Sequence, residues 1–317
     1  MELILLERGT LALVDADVRD RLSAAYAELK GTWSASTERS IESDLRVFCS
    51  WCASVNAAIL PALPQTVVQF IEAQAANTKT VATIRRYIYS IAVLHRLGQC
   101  PNPTKHASVT TALKRIVREL GTEQVQQGPL RWEHIEPALE RLDTSMPRDA
   151  FAAALVCVAY DALCRPEELP RIHVEHLMKD DDGHSLRIIK SKTDQSKRGV
   201  KVFLSASTYE RVVHWLRLAA IATGPVFCAR EGRAVTDATV RRTFKRIAQL
   251  AGIDETNVSG HSCRIGAAQD LAANGAGLPE LMTAGRWNDA RMVPRYTAHQ
   301  ATSHGAMAKL AAKQKRQ

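Results

Sequence analysis

Four side chains in the last third of the chain have the chemistry needed to act on a phosphodiester. They are His261, Arg264, Trp287 and Tyr296. A guanidinium binds phosphate oxygens through a planar fork and keeps its charge at neutral pH. An imidazole can carry a proton, an indole N–H can donate to an oxygen, and a phenol can attack phosphorus once cations or a base help to remove its proton. Since His261 and Arg264 are three residues apart, one helix face can present both of them.

Two further positions complete what cleavage of DNA by transesterification requires. Arg165, three residues before Glu168, is the second candidate to neutralise the non-bridging phosphate oxygens. The departing 5′-oxygen needs a proton, and Lys192 is the candidate donor, with Lys190 and Lys197 as alternatives. Taken singly, each residue has a structural explanation, such as an ion pair for Arg165. The combination of order and spacing favours phosphodiester chemistry.

The charge balance of the chain indicates a polyanionic partner. Its 317 residues include 42 Lys and Arg against 33 Asp and Glu, which gives a formal net charge of +9. Basic proteins of this kind commonly hold nucleic acids. The sequence has no apolar run near the roughly 20 residues that a membrane-spanning helix needs, and its first residues lack the pattern of a signal peptide. We therefore expect a cytoplasmic protein with no membrane partner.

The cysteines predict neither a disulfide framework nor a metal site. Seven of them are scattered along the chain, so reduced thiols are expected. Cys49 and Cys52 are spaced as a CxxC pair, but no second pair of ligands accompanies them. On a helix, this spacing places both thiols beside Leu45 and Phe48, which favours packing in a core over zinc binding. We expect no bound metal.

The first part of the chain is predicted to be a helical bundle, because its apolar residues recur every three or four positions. Ser36 or Thr37 can cap a helix whose apolar stripe runs from Ile41 to Val55. Further helices are predicted from Pro64, over residues 80–97 and 105–120, and near residues 17–30. A segment rich in Gly and Gln follows, as is typical of a linker. The predicted organisation is a helical domain over 1–121, a linker over 122–129 and a second domain over 130–317.

The second domain is predicted to combine helices with one small antiparallel sheet. Helices are expected from about Arg131 and Arg148. The β-rich segments Leu186–Ile189 and Val200–Phe203 flank a short polar tip, which is the pattern of a hairpin. Helices resume from Ser205. The predicted fold class is therefore mainly α, with two domains and a small antiparallel β-sheet.

Two predicted helices carry side chains that can face DNA. The candidates are Arg85, Arg86 and Tyr87 on the helix over residues 80–97, and Arg241, Arg242 and Lys245 on a helix of the second domain. Side chains of these types contact phosphates or base edges in the grooves. A solvated basic face is the alternative, and the sequence leaves it open.

The order of these motifs resembles that of the tyrosine recombinases of the phage integrase family, most closely the Cre-type branch. Trp287 stands where much of the family has histidine, which favours that branch. The resemblance covers most of residues 30–317. The motifs that carry it are Arg165 with Glu168, Lys190 to Thr193, Gly260 to Ala268, Ala284 to Trp287 and Tyr296, and in the first half Phe48 to Cys52, Leu94 to Arg96 and Ala112 to Ile116.

The resemblance implies a C-shaped clamp in which an N-terminal core-binding domain and a catalytic domain close around duplex DNA. Attack by Tyr296 would give a covalent 3′-phosphotyrosyl intermediate, and strand exchange would pass through a Holliday junction. No metal or nucleotide cofactor would be required, because the phosphotyrosyl ester retains the energy of the broken bond. The implied catalytic residues are Arg165, Lys192, His261, Arg264, Trp287 and the nucleophile Tyr296, with Glu168 in a supporting role.

The resemblance also implies an assembly. A homotetramer would act on two double-stranded DNA sites, each an inverted repeat, with the C-terminal helix of one protomer docked into its neighbour. Met307 and Leu310 lie at helical spacing near the end of the chain and fit such a helix. Packing of this helix on its own domain is the alternative. The protein would lie in a prokaryotic cytoplasm and associate with the nucleoid when bound to DNA.

Two other functions share part of this pattern. A type IB topoisomerase uses the same chemistry as a monomer without site specificity, and the predicted clasping domain and docking helix disfavour it. A DNA-binding relative that has lost turnover would keep the clamp. The presence of Arg165, His261, Arg264 and Tyr296 speaks against that interpretation.

Overall fold

The computed structural model of the chain describes residues 24, 32–121, 127–181, 183–189, 199–229, 232–297 and 306–314. The chain folds into two compact units, Met1–Val125 and Gln126–Gln317. The predicted fold class is confirmed, since helices dominate both units and the second contains one small antiparallel sheet. Apart from residue 24, the helix predicted near residues 17–30 lies outside the described residues.

Residues 32–121, in the described part of the first unit, contain helices α1 to α4. Their bounds are Ala35–Ser54 for α1, Pro64–Ala76 for α2, Val81–Leu97 for α3 and Ala107–Leu120 for α4. The predicted cap of α1 is wrong by two or three residues, because the Ser34 hydroxyl accepts the hydrogen bond from the Thr37 backbone N–H. The last helix begins later than predicted, since a 3-10 turn over Pro103–Lys105 precedes it.

Aromatic rings fill the core between these helices. The ring centroids of Phe48 and Phe70 are 5.1 Å apart, and those of Phe70 and Tyr87 are 5.6 Å apart. Cys49 and Cys52 are buried in the same core, which confirms the packing interpretation of the CxxC pair. Burial raises the pKa of both thiols to about 12, so neither is ionised at neutral pH.

The burial of Tyr87 corrects one prediction. The sequence predicts that Tyr87 points away from the core with Arg85 and Arg86, but it is only 5% exposed. Its position three residues after Ile84 and four before Ile91 places it on the buried face of α3. A ring enclosed in this core does not contact DNA, so the predicted role of Tyr87 is wrong.

The second unit contains helices α5 to α12 and strands β1 to β3. The helices before and after the sheet are α5 Trp132–Glu140, α6 Pro147–Asp161, α7 Ala206–Leu218, α8 Asp237–Ala251, α9 Ser262–Ala273, α10 Leu278–Gly285, α11 Val293–Thr297 and α12 Ala306–Lys313. The strands are β1 Leu177–Asp180, β2 Gly183–Ile188 and β3 Val200–Leu204.

The sheet has the order β1-β2-β3, and both neighbouring pairs are antiparallel. The predicted hairpin is confirmed, with Ile188 of β2 opposite Val200 of β3. The sequence did not reveal β1. This strand is four residues long and ends in Lys179 and Asp180, so it lacks the apolar alternation that marks a strand.

Helix α6 forms the centre of the second unit. Its residues from Ala152 to Ala159 are all buried, so the helix is covered on every side. Helix α9 approaches the chain that leads into α5 very closely, because a Cβ at Gly266 would lie 1.9 Å from the Leu130 carbonyl oxygen. This contact holds the start of α9 in place. Within the described part of the chain, every helix is too short or too polar to cross a membrane.

Candidate active site

The start of α9 places His261 and Arg264 in the second unit. His261 is the residue that precedes the helix, and Arg264 lies in its first turn. Arg264 is fully buried, and its guanidinium donates to the carbonyl oxygens of Leu163 and Gly285. Its Nε is buried and has no hydrogen-bond partner among the described residues. The site therefore encloses a cation with at least one N–H group left to donate.

Two aromatic rings lie against this guanidinium. The guanidinium carbon of Arg264 is 4.6 Å from the Trp287 ring centroid and 5.7 Å from that of Tyr296. The two ring centroids are 4.8 Å apart. Three of the predicted residues are thus in contact, although Tyr296 comes 32 residues after Arg264 in the sequence numbering. Such contacts stabilise a cation that has left water.

The indole of Trp287 is mostly enclosed. It is 5% exposed and packs in a small apolar cluster with Leu163, Ala268 and Val293. Gly285 is required beside it, because a Cβ there would lie 2.1 Å from the indole ring. In this arrangement the Trp287 ring packs against both Arg264 and Tyr296. The predicted hydrogen bond from its N–H to a phosphate stays a prediction.

Arg165 and Glu168 reach the same region from the turn after α6. Leu163 has a φ of +44°, which turns the chain back sharply after the helix ends. The Glu168 carboxylate accepts from Arg165 Nη1 at 2.9 Å and from the Arg165 backbone N–H at 2.8 Å. Arg165 Nη2 donates to the Arg286 carbonyl oxygen at 3.2 Å. Arg165 is therefore both an ion-pair partner and a member of the cluster.

Arg286 also belongs to the cluster, although the sequence analysis did not identify it as a site residue. Its guanidinium donates to Glu168 Oε2 at 2.6 Å and to the Ala162 carbonyl oxygen at 2.7 Å. The residue ends α10 in the left-handed conformation, with a φ of +53°. Its only sequence signal is its place between Gly285 and Trp287, and nothing in that spacing indicates a buried ion pair.

The charges of the cluster do not balance. Arg165 and Arg286 both pair with the Glu168 carboxylate, whereas the hydrogen bonds of Arg264 go to carbonyl oxygens. Among the described residues, these three guanidiniums thus share one paired carboxylate, which leaves a surplus of two positive charges. Burial, and then repulsion from Arg165, lower the pKa of Arg264 to about 10, which still leaves it protonated at neutral pH. A surplus of buried positive charge favours binding of an anion.

His261 lies beside this positive charge. Desolvation of the imidazole, ahead of repulsion by Arg264 and Arg165, lowers its pKa below the usual value of 6.5, although the nearby Glu167 opposes the shift. At neutral pH the imidazole is therefore mainly uncharged. An uncharged imidazole can accept a proton from a neighbouring hydroxyl.

The described cluster does not include the remaining predicted residues. Lys192 and its alternatives Lys190 and Lys197 lie outside the described residues. Arg85 and Arg86 are exposed on α3, where Arg86 is bonded to Asp44. On α8, Arg241 and Arg242 are exposed and Lys245 is half-buried. Contact of these side chains with DNA stays a prediction.

Sequence comparison relates the whole chain to known proteins. The model of the phage integrase family matches residues 129–303. The chain is 28% identical over 327 aligned residues to the recombinase cre of Escherichia phage P1, covering 93% of this chain and 92% of that protein. It is 27% identical over 293 residues to an integrase/recombinase xerD homolog of Selenomonas ruminantium, covering 87% and 86%.

Solved structures agree on the fold. The Tn1549 transposon integrase, solved in complex with transposon right end DNA, has a TM-score of 0.67 at 13% identity and covers 92% of this chain and 98% of its own. The XerH site-specific recombinase, solved bound to palindromic difH substrate, has a TM-score of 0.63 at 15% identity and covers 98% and 93%. At these identities the likeness concerns the fold alone.

Proposed function

The chain belongs to the phage integrase family, and from that premise we propose that it is a site-specific DNA recombinase acting through a covalent 3′-phosphotyrosyl intermediate. The observation that carries the proposal is the surplus of positive charge around Arg264, with the ring of Tyr296 lying against its guanidinium. A phosphodiester is the anion that such a cluster suits, because two arginines can neutralise its two non-bridging oxygens.

In the proposed reaction, the hydroxyl oxygen of Tyr296 forms a bond to phosphorus and the bond from phosphorus to the 5′-oxygen breaks. The phenolic proton passes to His261 or to solvent, and the 5′-oxygen takes a proton from Lys192. Attack by a 5′-hydroxyl from another strand then reverses these steps and releases the tyrosine. One phosphate ester replaces another throughout, so the energetics require neither ATP nor a metal cofactor.

Binding of the phosphate requires a rearrangement of the site. Arg264 is fully buried, with the rings of Trp287 and Tyr296 against its guanidinium. Tyr296 lies on α11, which is only five residues long. We propose that α11 shifts when DNA binds, which uncovers Arg264 and carries the hydroxyl of Tyr296 towards the phosphorus.

The proposed substrate is double-stranded DNA that contains inverted-repeat sites. The formal net charge of +9 and the exposed arginines on α3 and α8 suit such a partner. Among the proteins of similar fold, XerH was solved with a palindromic substrate and the Tn1549 integrase with transposon DNA. We assign the clasping of DNA to residues 1–121 and the chemistry to residues 130–317.

The proposed assembly is a homotetramer on two DNA sites, which exchanges strands through a Holliday junction. Helix α12 supports this, because Met307 is 69% exposed and Leu310 is 42% exposed on it. An apolar helix face of this kind gains stability by docking into a neighbouring protomer. The assembly would form in the cytoplasm, on the DNA of the nucleoid.

Covalent trapping tests the proposal. The substrate is a pool of nicked suicide duplexes with randomised arms, in which loss of the short 5′-hydroxyl fragment prevents rejoining. We expect the wild-type chain to form an adduct that survives SDS on a subset of sequences, and Tyr296→Phe to form none. Tyr89→Phe is the matched control, since Tyr89 is 52% exposed on α3 and lies in the other unit.

Two outcomes would contradict the proposal. An adduct that persists in Tyr296→Phe would show that another residue is the nucleophile. Adducts on all sequences of the pool alike, with no selection, would indicate a type IB topoisomerase. The duplex selected by the wild-type chain then serves as the substrate for every later variant.

A further inference from the structure

Arg286 occupies a position where the backbone favours glycine. It ends α10 with a φ of +53° and a ψ of 48°, the left-handed conformation in which helices usually end on glycine. A residue with a Cβ is disfavoured in this conformation. The side chain is also buried, with 5% of its surface exposed, although it carries a charge. Both the left-handed backbone and the burial of a charge disfavour arginine at this position, so its contacts must compensate for them.

Those contacts reach both arginines of the proposed site. Arg286 Nη2 lies 2.6 Å from Glu168 Oε2, and the other oxygen of that carboxylate binds Arg165. The same Nη2 donates to the Leu163 carbonyl oxygen at 3.2 Å, and Arg264 donates to that oxygen as well. Arg286 thus touches one acceptor of Arg165 and one acceptor of Arg264.

The backbone of Arg286 adds a further link. Its carbonyl oxygen accepts from Arg165 Nη2, and the preceding carbonyl, that of Gly285, accepts from Arg264. In addition, Arg286 Nη1 donates to the Ala162 carbonyl oxygen at the end of α6. The carbonyls at a helix C-terminus have no partner within the helix, and a cation satisfies them well.

We infer that Arg286 is a positioning residue, which fixes Glu168 and the Leu163 carbonyl and thereby holds Arg165 and Arg264 in the orientation that a phosphate requires. The inference rests on the proposed function and assigns no contact between Arg286 and DNA. Its planar fork is essential to this role, because Nη1 and Nη2 must point at two different acceptors, the Ala162 carbonyl and the Glu168 carboxylate. A lysine would supply the charge without that geometry.

The test compares Arg286→Gly with the wild-type chain on the duplex selected above. Glycine relaxes the left-handed backbone, so this variant removes the guanidinium without adding strain. We expect the rate constant of adduct formation by protein already bound to DNA to fall about 10–100-fold, because small misplacements of reacting groups cost this much. DNA affinity should change by less than about threefold, since contacts elsewhere supply most of it.

Three controls separate positioning from folding. Arg291→Ala removes an arginine from the same region that is 90% exposed and pairs with Asp289, and it should cleave like the wild type. Arg286→Lys should stay slow. Guanidinium chloride at millimolar concentration should partly restore cleavage by Arg286→Gly, whereas ammonium chloride at the same concentration should not. A merely structural role would not produce that selective rescue.

Several results would overturn the inference. They are cleavage by Arg286→Gly at the wild-type rate, full recovery in Arg286→Lys, and a loss of thermal stability with an unchanged rate in the bound complex. With each of these results the wild-type chain still forms the adduct, so only the positioning role of Arg286 would be refuted. Absence of an adduct with the wild-type chain would refute the proposed function itself, and the inference with it.

Discussion

Among the described residues, each unit has one carboxylate that is almost fully buried against arginine, Asp44 in the first and Glu168 in the second. The two sites differ in how the charges balance. In the first unit, Asp44 accepts from Arg86 Nε and Nη2 and from the Ser90 hydroxyl. One negative charge there meets one positive charge. In the second unit, Glu168 binds Arg165 and Arg286, while Arg264 lies nearby without a carboxylate of its own.

The two sites also differ in how far their guanidiniums are exposed to solvent. The side chain of Arg86 is 52% exposed, whereas that of Arg165 is 11% exposed and that of Arg286 is 5% exposed. The balanced pair joins α1 to α3 and leaves its cation in water, which is a structural arrangement. The unbalanced cluster holds surplus cations out of water at a cost, and such a cost is typical of functional sites. In this protein, the buried carboxylate whose charges fail to balance is the one at the proposed site.

The largest predicted effect concerns the arginine without a carboxylate. Arg264→Ala should lower the rate of adduct formation about 10²–10³-fold, because it removes donors that stabilise charge in the transition state. DNA affinity should change by about threefold at most, since the remaining phosphate contacts persist. Single-turnover cleavage and gel-shift titration measure the two effects. Equal losses of binding and cleavage would count against a catalytic role for Arg264.

Replacing each carboxylate by its amide tests the contrast directly. Glu168→Gln should slow cleavage about 10–100-fold, because Arg165 and Arg286 lose the charge that orients them. Asp44→Asn should leave cleavage by bound protein unchanged and lower the free energy of unfolding by about 2 kcal/mol, since it weakens a buried charged hydrogen-bond network. Urea titration measures the second effect. If both variants lose cleavage to the same extent, the two carboxylates do not differ in function as we predict.

Local sequence patterns predicted some features of the structure and missed others. The helices from Pro64 and over residues 80–97, the hairpin and the buried CxxC pair follow from local periodicity, and the structure confirms them. The spacing of His261 and Arg264 predicted that one helix face presents both. In the structure, His261 precedes α9 and is exposed, whereas Arg264 lies in the first turn and is fully buried. The prediction was wrong at Tyr87, although its spacing from Ile84 and Ile91 places it on the buried face of α3, and it missed β1, whose residues show no apolar alternation.

Arg286 shows why part of the site stayed hidden. Its role depends on a left-handed backbone at the end of α10 and on Glu168, which is 118 residues away in the sequence. Neither feature leaves a mark in the spacing of residue types. The sequence names the groups that can meet a phosphate, because their chemistry is distinctive. It does not name Arg286, because the role of that residue depends on tertiary contacts and not on its spacing from the other site residues.

The smallest predicted effect is a pH dependence of the stability of the first unit. His95 is fully buried in α3, where its Nε2 accepts from the Ala62 backbone N–H at 2.9 Å and its Nδ1 contacts the Ile91 carbonyl oxygen at 2.8 Å. Since Ala62 is the donor, Nε2 carries no proton and Nδ1 donates. Burial lowers the pKa of His95 below 6.5, although the bond to Ile91 partly opposes this.

Protonation of His95 would break the bond to Ala62 and place a charge in the core, so folding stabilises its neutral form. Because the folded pKa is lowered, the unfolded chain binds more protons between that pKa and the ordinary value of about 6.5. The stability of the first unit should therefore be complete above about pH 6.5 and should decline as the pH falls below it. Hydrogen exchange of α3 peptides at pH 7.5 and 5.5, corrected for the intrinsic rate, measures the decline. His95→Gln, which cannot titrate, should show a flatter dependence, and an equal slope in both proteins would assign the effect to another group.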